Sequence, residues 1–301
     1  MGKTAFIFPG QGSQYVGMGK DFYDGFQVCR QIFDIAGNSA GLDVAALCFE
    51  ENEQIHITEY TQIAMLTVEV ALMKVLEERG LHADVAAGLS LGEYGALAVA
   101  DVMSLEDLFR CVRKRGIYMQ EAVPTGGAMT AILGLDGDTI ARICEEADGE
   151  VSVANYNCPG QTVITGEKAA VDAAAEKLKE AGAKRCVPLK VSGPFHSPML
   201  RDAGRRLGEE LETISIRGIA TPYLSNVTAD YVTDASAVKE LLIRQVSSPV
   251  RWQQCVERMI ADGVDTFIEI GPGKTLSGFM RKINRDVTVK NVERTEDLEK
   301  L

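Results

Sequence analysis

Ala86-Ala87-Gly88-Leu89-Ser90-Leu91-Gly92-Glu93-Tyr94 joins a short apolar strand, Val85 to Gly88, to a helix-compatible run, Glu93 to Val99, with Ser90 at the turn. The spacing Gly88-x-Ser90-x-Gly92 is that of a nucleophile elbow. Its demand is steric. A serine on a tight strand-to-helix turn pushes Oγ out of the sheet, and small residues two before and two after it keep strand and helix from colliding. The helix start also aims backbone N–H groups and a partial positive charge at the reacting oxygen. An ordinary Gly-Ser turn is the alternative.

Upstream, Lys3 to Phe8 reads as a buried first strand ending in Pro9-Gly10-Gln11-Gly12-Ser13-Gln14. A dinucleotide loop would need a third glycine at position 15, which is Tyr15. A loop whose amides approach a ligand oxygen fits better. An elbow enzyme builds its oxyanion hole from the amide after the nucleophile and one from a loop after another strand, and Leu91 and Gln11 suit those roles. Residues 21–50 read as helical. Thr61 to Arg79 carries an apolar stripe at helical spacing and stops at Gly80. Leu105 to Ala122 reads as a further helix.

Downstream of Pro124-Thr125-Gly126-Gly127 the texture changes. Strands over Ala128–Leu133, Val151–Asn155, Thr162–Thr165 and Lys184–Leu189 alternate with helices over Asp138–Ala147 and Glu167–Ala181. That βαββαβ order is ferredoxin-like. The expected fold is therefore α/β, a hydrolase-like large domain with a mainly parallel sheet (1–123 and 194–301) and an inserted small domain (124–193). Val191-Ser192-Gly193-Pro194 would be the return linker. The large domain resumes with helices over Leu200–Thr213, Ala235–Gln245 and Val250–Ala261, and strands over Pro222–Asn226 and Thr266–Ile270. Gly271-Pro272-Gly273-Lys274-Thr275 imitates a phosphate loop but lacks the glycine needed at Ile268. The acidic tail from Glu293 reads as frayed.

Composition limits the function. The chain has 301 residues, 46% hydrophobic and 25% charged, enough for a large core. A net charge of −12 argues against general nucleic-acid binding. No apolar run reaches the ~20 residues of a membrane helix, and no signal peptide opens the chain. Seven scattered cysteines without a C-x-x-C pair, and three distant histidines, give no metal spacing and fit a reduced cytoplasmic protein.

Ser90 needs a base. His82 lies at the wrong end of the elbow strand, and His56 in a polar connector reads as surface. His196, in Gly193-Pro194-Phe195-His196-Ser197-Pro198 where the two domains rejoin, is left as the candidate. No acidic residue between Ser90 and His196 has a compelling position. Glu269 could be a partner or a buried structural carboxylate, and a backbone carbonyl could orient the imidazole instead.

Several separated stretches together resemble the malonyl-CoA:acyl-carrier-protein transacylases and the acyltransferase domains of polyketide synthases. They are Phe8-Pro9-Gly10-Gln11-Gly12-Ser13-Gln14, Gly88 to Tyr94, Arg115-Gly116-Ile117-Tyr118-Met119-Gln120, Ala154 to Gln161, Gly193 to Ser197, Gln245 to Trp252 and Glu269 to Gly273. The resemblance implies a ping-pong transfer of malonyl from malonyl-CoA to acyl carrier protein, in fatty-acid or polyketide synthesis, with no cofactor beyond the CoA thioester substrate. It implies Ser90 as nucleophile, His196 as base and then acid, and the amides of Gln11 and Leu91 as oxyanion hole. It further implies the main-chain carbonyl of Gln245 as the group orienting His196, and Arg115 as the bidentate partner of the malonyl carboxylate. Asn155, Asn157 and Gln161 would line the cleft, Met119 would stand near the acyl pocket, and Phe195 would exclude a branched acyl group. Leu89 departs from the family, which usually has histidine there, and this bears on pocket polarity. Arg110, Arg113, Lys114, Arg281, Lys282 and Arg285 are candidates for a surface facing the acidic carrier, scattered solubilising charge being the alternative. A monomer is expected. A serine hydrolase or thioesterase, and a non-catalytic carrier-binding scaffold, are the rival readings.

Overall fold

A computed structural model of the chain describes residues 2–191 and 193–301. Ser192, in the expected return linker, lies outside them. In chain order the first half contains β1 (Lys3–Phe8), α1 (Lys20–Gly25), α2 (Gln27–Ala40), α3 (Val44–Phe49), α4 (Thr58–Glu78), β2 (Val85–Gly88), α5 (Gly92–Val99) and α6 (Leu105–Ala122). Next come β3 (Gly127–Leu133), α7 (Gly137–Glu145), β4 (Val151–Cys158), β5 (Gln161–Glu167), α8 (Lys168–Glu180) and β6 (Arg185–Pro188). The remainder is α9 (Arg201–Glu212), α10 (Val238–Gln245), α11 (Trp252–Ala261), β7 (Val264–Ile270), α12 (Thr275–Ile283) and β8 (Thr288–Val292).

Two sheets organise these elements. One is parallel throughout, in the order β2-β1-β7-β8. The other is antiparallel, in the order β4-β5-β3-β6, and is built only from residues between Gly127 and Pro188. Ile140, Ile143, Val171, Ala174 and Leu178 of α7 and α8 fill its own apolar core against Ile132, Val153 and Ile164. The α/β architecture with a parallel sheet and a separate ferredoxin-like unit is the one expected. The parallel strands read as continuous apolar runs because both of their faces are covered.

Four expectations need correcting. Residues 21–50 form three helices, because Phe26 is extended (φ −126°, ψ 131°) and Gly41 takes a left-handed conformation (φ 64°). The helix expected from Thr61 starts one turn earlier, at Thr58, and its core stripe widens to burial on nearly every side, Glu69 included. Pro222 to Asn226 makes one bridge to β2, between Ala86 and Tyr223, then turns away. The tail from Glu293 is docked, with a 3-10 turn over Thr295–Lys300 that buries Asp297 and Leu298. Asp297 accepts from the amides of Glu293 and Arg294, and Thr295 N donates to Asp21, so the segment has partners of its own. The strand β8 and the helix α12 were not legible in advance.

Candidate active site

The elbow is built as the spacing demands. Ser90 has φ 56°, the left-handed region that L-residues rarely occupy outside strained functional turns. A Cβ on Gly88 would lie 1.9 Å from the Gly92 carbonyl, and one on Gly92 would lie 2.1 Å from Phe8 O. Both glycines are therefore required by backbone contacts that cannot give. Asn226, unforeseen from sequence, pins the turn from beneath: its Oδ1 accepts from Ser90 N at 2.7 Å and its Nδ2 donates to Gly88 O at 2.7 Å. That explains why the chain leaves the sheet edge after a single bridge.

His196 is held in a strained conformation of its own, φ 61°, and is 4% exposed. Its Nε2 lies 2.7 Å from Ser90 Oγ, and its Nδ1 lies 2.9 Å from Gln245 O. A carbonyl oxygen only accepts, so Nδ1 carries the proton and Nε2 is left to accept from the serine hydroxyl. Burial, and then the charge of Arg115, pull the imidazole down to about 4, so at neutral pH it is uncharged with Nε2 free to accept a proton. No carboxylate orients it among the described residues. Glu269 instead caps α12, accepting from Leu276 N, Ser277 N and Ser277 Oγ at 2.9, 2.8 and 2.6 Å.

Arg115 comes from α6 and is 1% exposed. Its Nη1 donates to Gln62 Oε1 at 2.6 Å, and its Nη2 donates to Gln245 Oε1 at 2.9 Å and to Ser90 Oγ at 3.2 Å. The guanidinium lies over the Tyr94 ring, 5.4 Å from its centroid. Nε has no partner, and no carboxylate lies within ion-pair distance among the described residues. A buried cation without an anion is costly. It marks a place that a ligand carboxylate would neutralise.

These groups face a cleft of about 530 Å³. Gln11, Leu91, Met119, Asn155, Asn157 and Phe195 all line it, with Leu89 as an apolar wall beside the elbow. Gln11 Nε2 donates to Thr58 Oγ1 at 3.0 Å, which fixes its loop, while neither the Gln11 nor the Leu91 amide donates to another group among the described residues. Asn157 Oδ1 is buried without a hydrogen-bond partner among the described residues. Two expectations change. Gln161 is not among the lining residues and instead accepts from Lys282 Nζ at 3.2 Å. His56 is exposed as expected but stands at the cleft wall. The loop imitating a phosphate cradle is committed elsewhere, because Gly273 N donates to Glu293.

The model of the acyl transferase domain matches residues 5–297. A malonyl CoA-acyl carrier protein transacylase from Bacillus subtilis is 45% identical over 99% of this chain and 96% of its own length. The chain belongs to the malonyl-CoA:acyl-carrier-protein transacylase family. It is an acyltransferase. Among solved structures, the transacylase from Clostridium perfringens superposes with a TM-score of 0.96 at 45% identity, covering 99% of this chain and 95% of that one. A malonyl-transacylase solved in complex with a type II polyketide acyl-carrier protein superposes at 0.95 with 41% identity, covering 99% and 98%. No helix among the described residues of this family member is long and apolar enough to cross a membrane.

Proposed function

We propose that the chain transfers malonyl from malonyl-CoA to the phosphopantetheine thiol of acyl carrier protein, by a ping-pong reaction through an ester on Ser90, for fatty-acid or polyketide elongation. The observation that carries the choice of acyl group is Arg115. A guanidinium buried beside Ser90 Oγ, with no anion at ion-pair distance among the described residues, suits a substrate that brings a carboxylate, and a planar fork binds it bidentately. Acetyl brings none.

In the first half-reaction His196 Nε2 takes the hydroxyl proton as Ser90 Oγ attacks the thioester carbonyl. The amides of Gln11 and Leu91 stabilise the oxyanion. The tetrahedral intermediate collapses, the C–S bond breaks, and His196 returns the proton to the CoA sulfur. The second half-reaction reverses the roles: His196 takes the proton from the carrier thiol, the sulfur attacks the ester carbonyl, the acyl C–O bond to Ser90 breaks, and the proton goes back to Ser90 Oγ. Asn155 and Asn157 offer polar contacts along the cleft, while Met119 and Phe195 border the acyl end. The scheme is written for a monomer and calls on no cofactor beyond the CoA thioester substrate. Seven free thiols, all but Cys186 buried, favour the reducing cytoplasm.

For the carrier, Arg110 and Arg113 are poor docking groups because both are ion-paired, to Asp107 and Glu210 and to Glu59. Arg281, Lys282 and Arg285 are exposed, without ion pairs among the described residues, and belong to or follow α12, whose Thr275 and Phe279 line the cleft. They are the better surface for an acidic carrier.

The direct test is intact-protein mass after brief mixing with malonyl-CoA or acetyl-CoA, with Ser90→Ala alongside. A malonyl adduct on wild type alone, absent with acetyl-CoA, is expected. Free malonate released without an adduct would make the chain a hydrolase. Neither adduct nor CoA release would leave only the scaffold reading.

A further inference from the structure

Gln245 serves the site twice. Its carbonyl holds His196 Nδ1, and its side-chain Oε1 accepts from Arg115 Nη2. An amide side chain has a direction, and flipping it would turn an NH2 group against the guanidinium, donor against donor. The direction is set by the other end. Gln245 Nε2 donates to Glu93 Oε2 at 2.8 Å and to Ser90 O at 2.9 Å. Glu93 is fully buried in the first turn of α5, and the same oxygen also accepts from Asn226 N at 3.0 Å. The chain thus runs from carboxyl to amide to guanidinium, behind Ser90 and out of reach of solvent.

We infer that Glu93 is a positioning residue: acting through the Gln245 amide, it aims Arg115 and so sets the preference for an acyl group bearing a free carboxylate. The inference rests on the proposed malonyl transfer. Glu93 touches neither the reacting serine oxygen nor the imidazole; it reaches Arg115 through the Gln245 amide and the Ser90 turn through Asn226 N, and only the first route is specific to a carboxylate-bearing substrate. Its acceptor oxygen supplies the second anchor of the amide NH2, the carbonyl of Ser90 being the first. With one anchor gone, the amide can turn and Arg115 loses a neutral acceptor that holds Nη2 beside Ser90. The carboxylate-bearing substrate is the one that needs that placement.

The test is a double-mutant cycle read as the ratio of Ser90 acylation rates, malonyl-CoA over acetyl-CoA. Glu93→Met removes the acceptor. Gln245→Leu keeps the backbone carbonyl on His196 and removes the relay. Each is expected to lower the ratio about 10-fold or more, the loss typical of a hydrogen bond to a charged group. The double variant is expected to match Gln245→Leu alone. Glu93→Gln, whose amide oxygen can accept from the same two donors, is expected to restore most of the ratio. A Glu93→Met enzyme that slows on both substrates alike, or losses that multiply in the double variant, would overturn the inference. If Glu93→Met does not fold, Gln245→Leu decides: an unchanged ratio there overturns it equally. A wild type that takes no malonyl group overturns the proposed function, and a wild type that takes it while the variants keep full preference overturns this inference alone.

Discussion

The acidity of His196 gives the sharpest prediction, because it ties a pH profile to one neighbour. An ordinary histidine titrates near 6.5, whereas His196 is held at about 4 by burial first and by Arg115 second. At pH 6 an ordinary imidazole is roughly a quarter neutral, and one at about 4 is roughly 99% neutral. Acylation of Ser90 should therefore stay flat down to about pH 5 and fall only as pH approaches 4. Replacing Arg115 by Met removes the cation. Arg115 Nη2 lies 3.2 Å from Ser90 Oγ, which lies 2.7 Å from His196 Nε2, so the two charges stand no more than about 6 Å apart. At an effective dielectric of about 20 and that separation their repulsion is about 3 kcal/mol. The acid limb should rise by about one unit or more and still stay below 6.5, because burial remains. The assay is the rate of Ser90 labelling by a fluorophosphonate between pH 3.5 and 8, which needs no carboxylate recognition and so serves both proteins. A wild-type limb near 6.5, or a limb that Arg115→Met leaves in place, would refute the reasoning.

Gly92→Ala puts a methyl 2.1 Å from Phe8 O, so unfolding in urea should show a loss of about 3 kcal/mol or more, or no folded protein at all. Burial pushes the Glu93 carboxyl up from 4.5 to about 7, so the native state keeps a proton the unfolded chain gives up. Its contribution is complete below about 4.5 and is lost as pH rises through 7. Relative to wild type, Glu93→Met should thus gain up to about 3 kcal/mol between pH 5 and 8 in urea titrations. Charge reversal at Arg281 and Lys282 should slow malonyl transfer to the carrier several-fold, more so at low salt, and spare acylation by malonyl-CoA; equal loss in both half-reactions would remove the docking role.

What the sequence disclosed follows from the range of the forces involved. The elbow was legible from its spacing: Gly88 answers to Gly92 four residues on, although Gly92 itself answers to the distant Phe8 carbonyl. The helix Leu105–Ala122 was legible as a run, and the structure adds its Ser104 cap, which accepts from Asp107 N. His196 emerged by elimination among three histidines, and Arg115 only through family resemblance, since an arginine on a helix is ordinarily solvated. Asn226, Glu93 and the side chain of Gln245 gave no local signal. Their hydrogen bonds join residues more than 130 positions apart, and nothing in Ser225-Asn226-Val227 distinguishes a turn that supports the Ser90 elbow from any other. Residues 21–50 concealed their breaks because Phe26 is a non-glycine residue in extended geometry. The tail misled because its acidic composition hides the buried Leu298 and the partners of Asp297.

The position of β1 has a consequence for how the protein is made. The first strand lies in the interior of the parallel sheet, with β2 on one side and β7 on the other. Its neighbour β7 lies some 260 residues later, at Val264–Ile270. Beyond β8, Glu293 reaches back to accept from Tyr15 Oη at 2.9 Å, close behind the loop that carries Gln11. A nascent chain emerging from the ribosome can therefore fold the antiparallel unit from its own residues, but it must hold an apolar first strand half-covered until residues 264–292 are free. Such late closure between distant segments makes folding slow and leaves the growing chain exposed to aggregation. The loop bearing Gln11 gains the support of Glu293 only once that segment has emerged, so the cleft it lines is completed late.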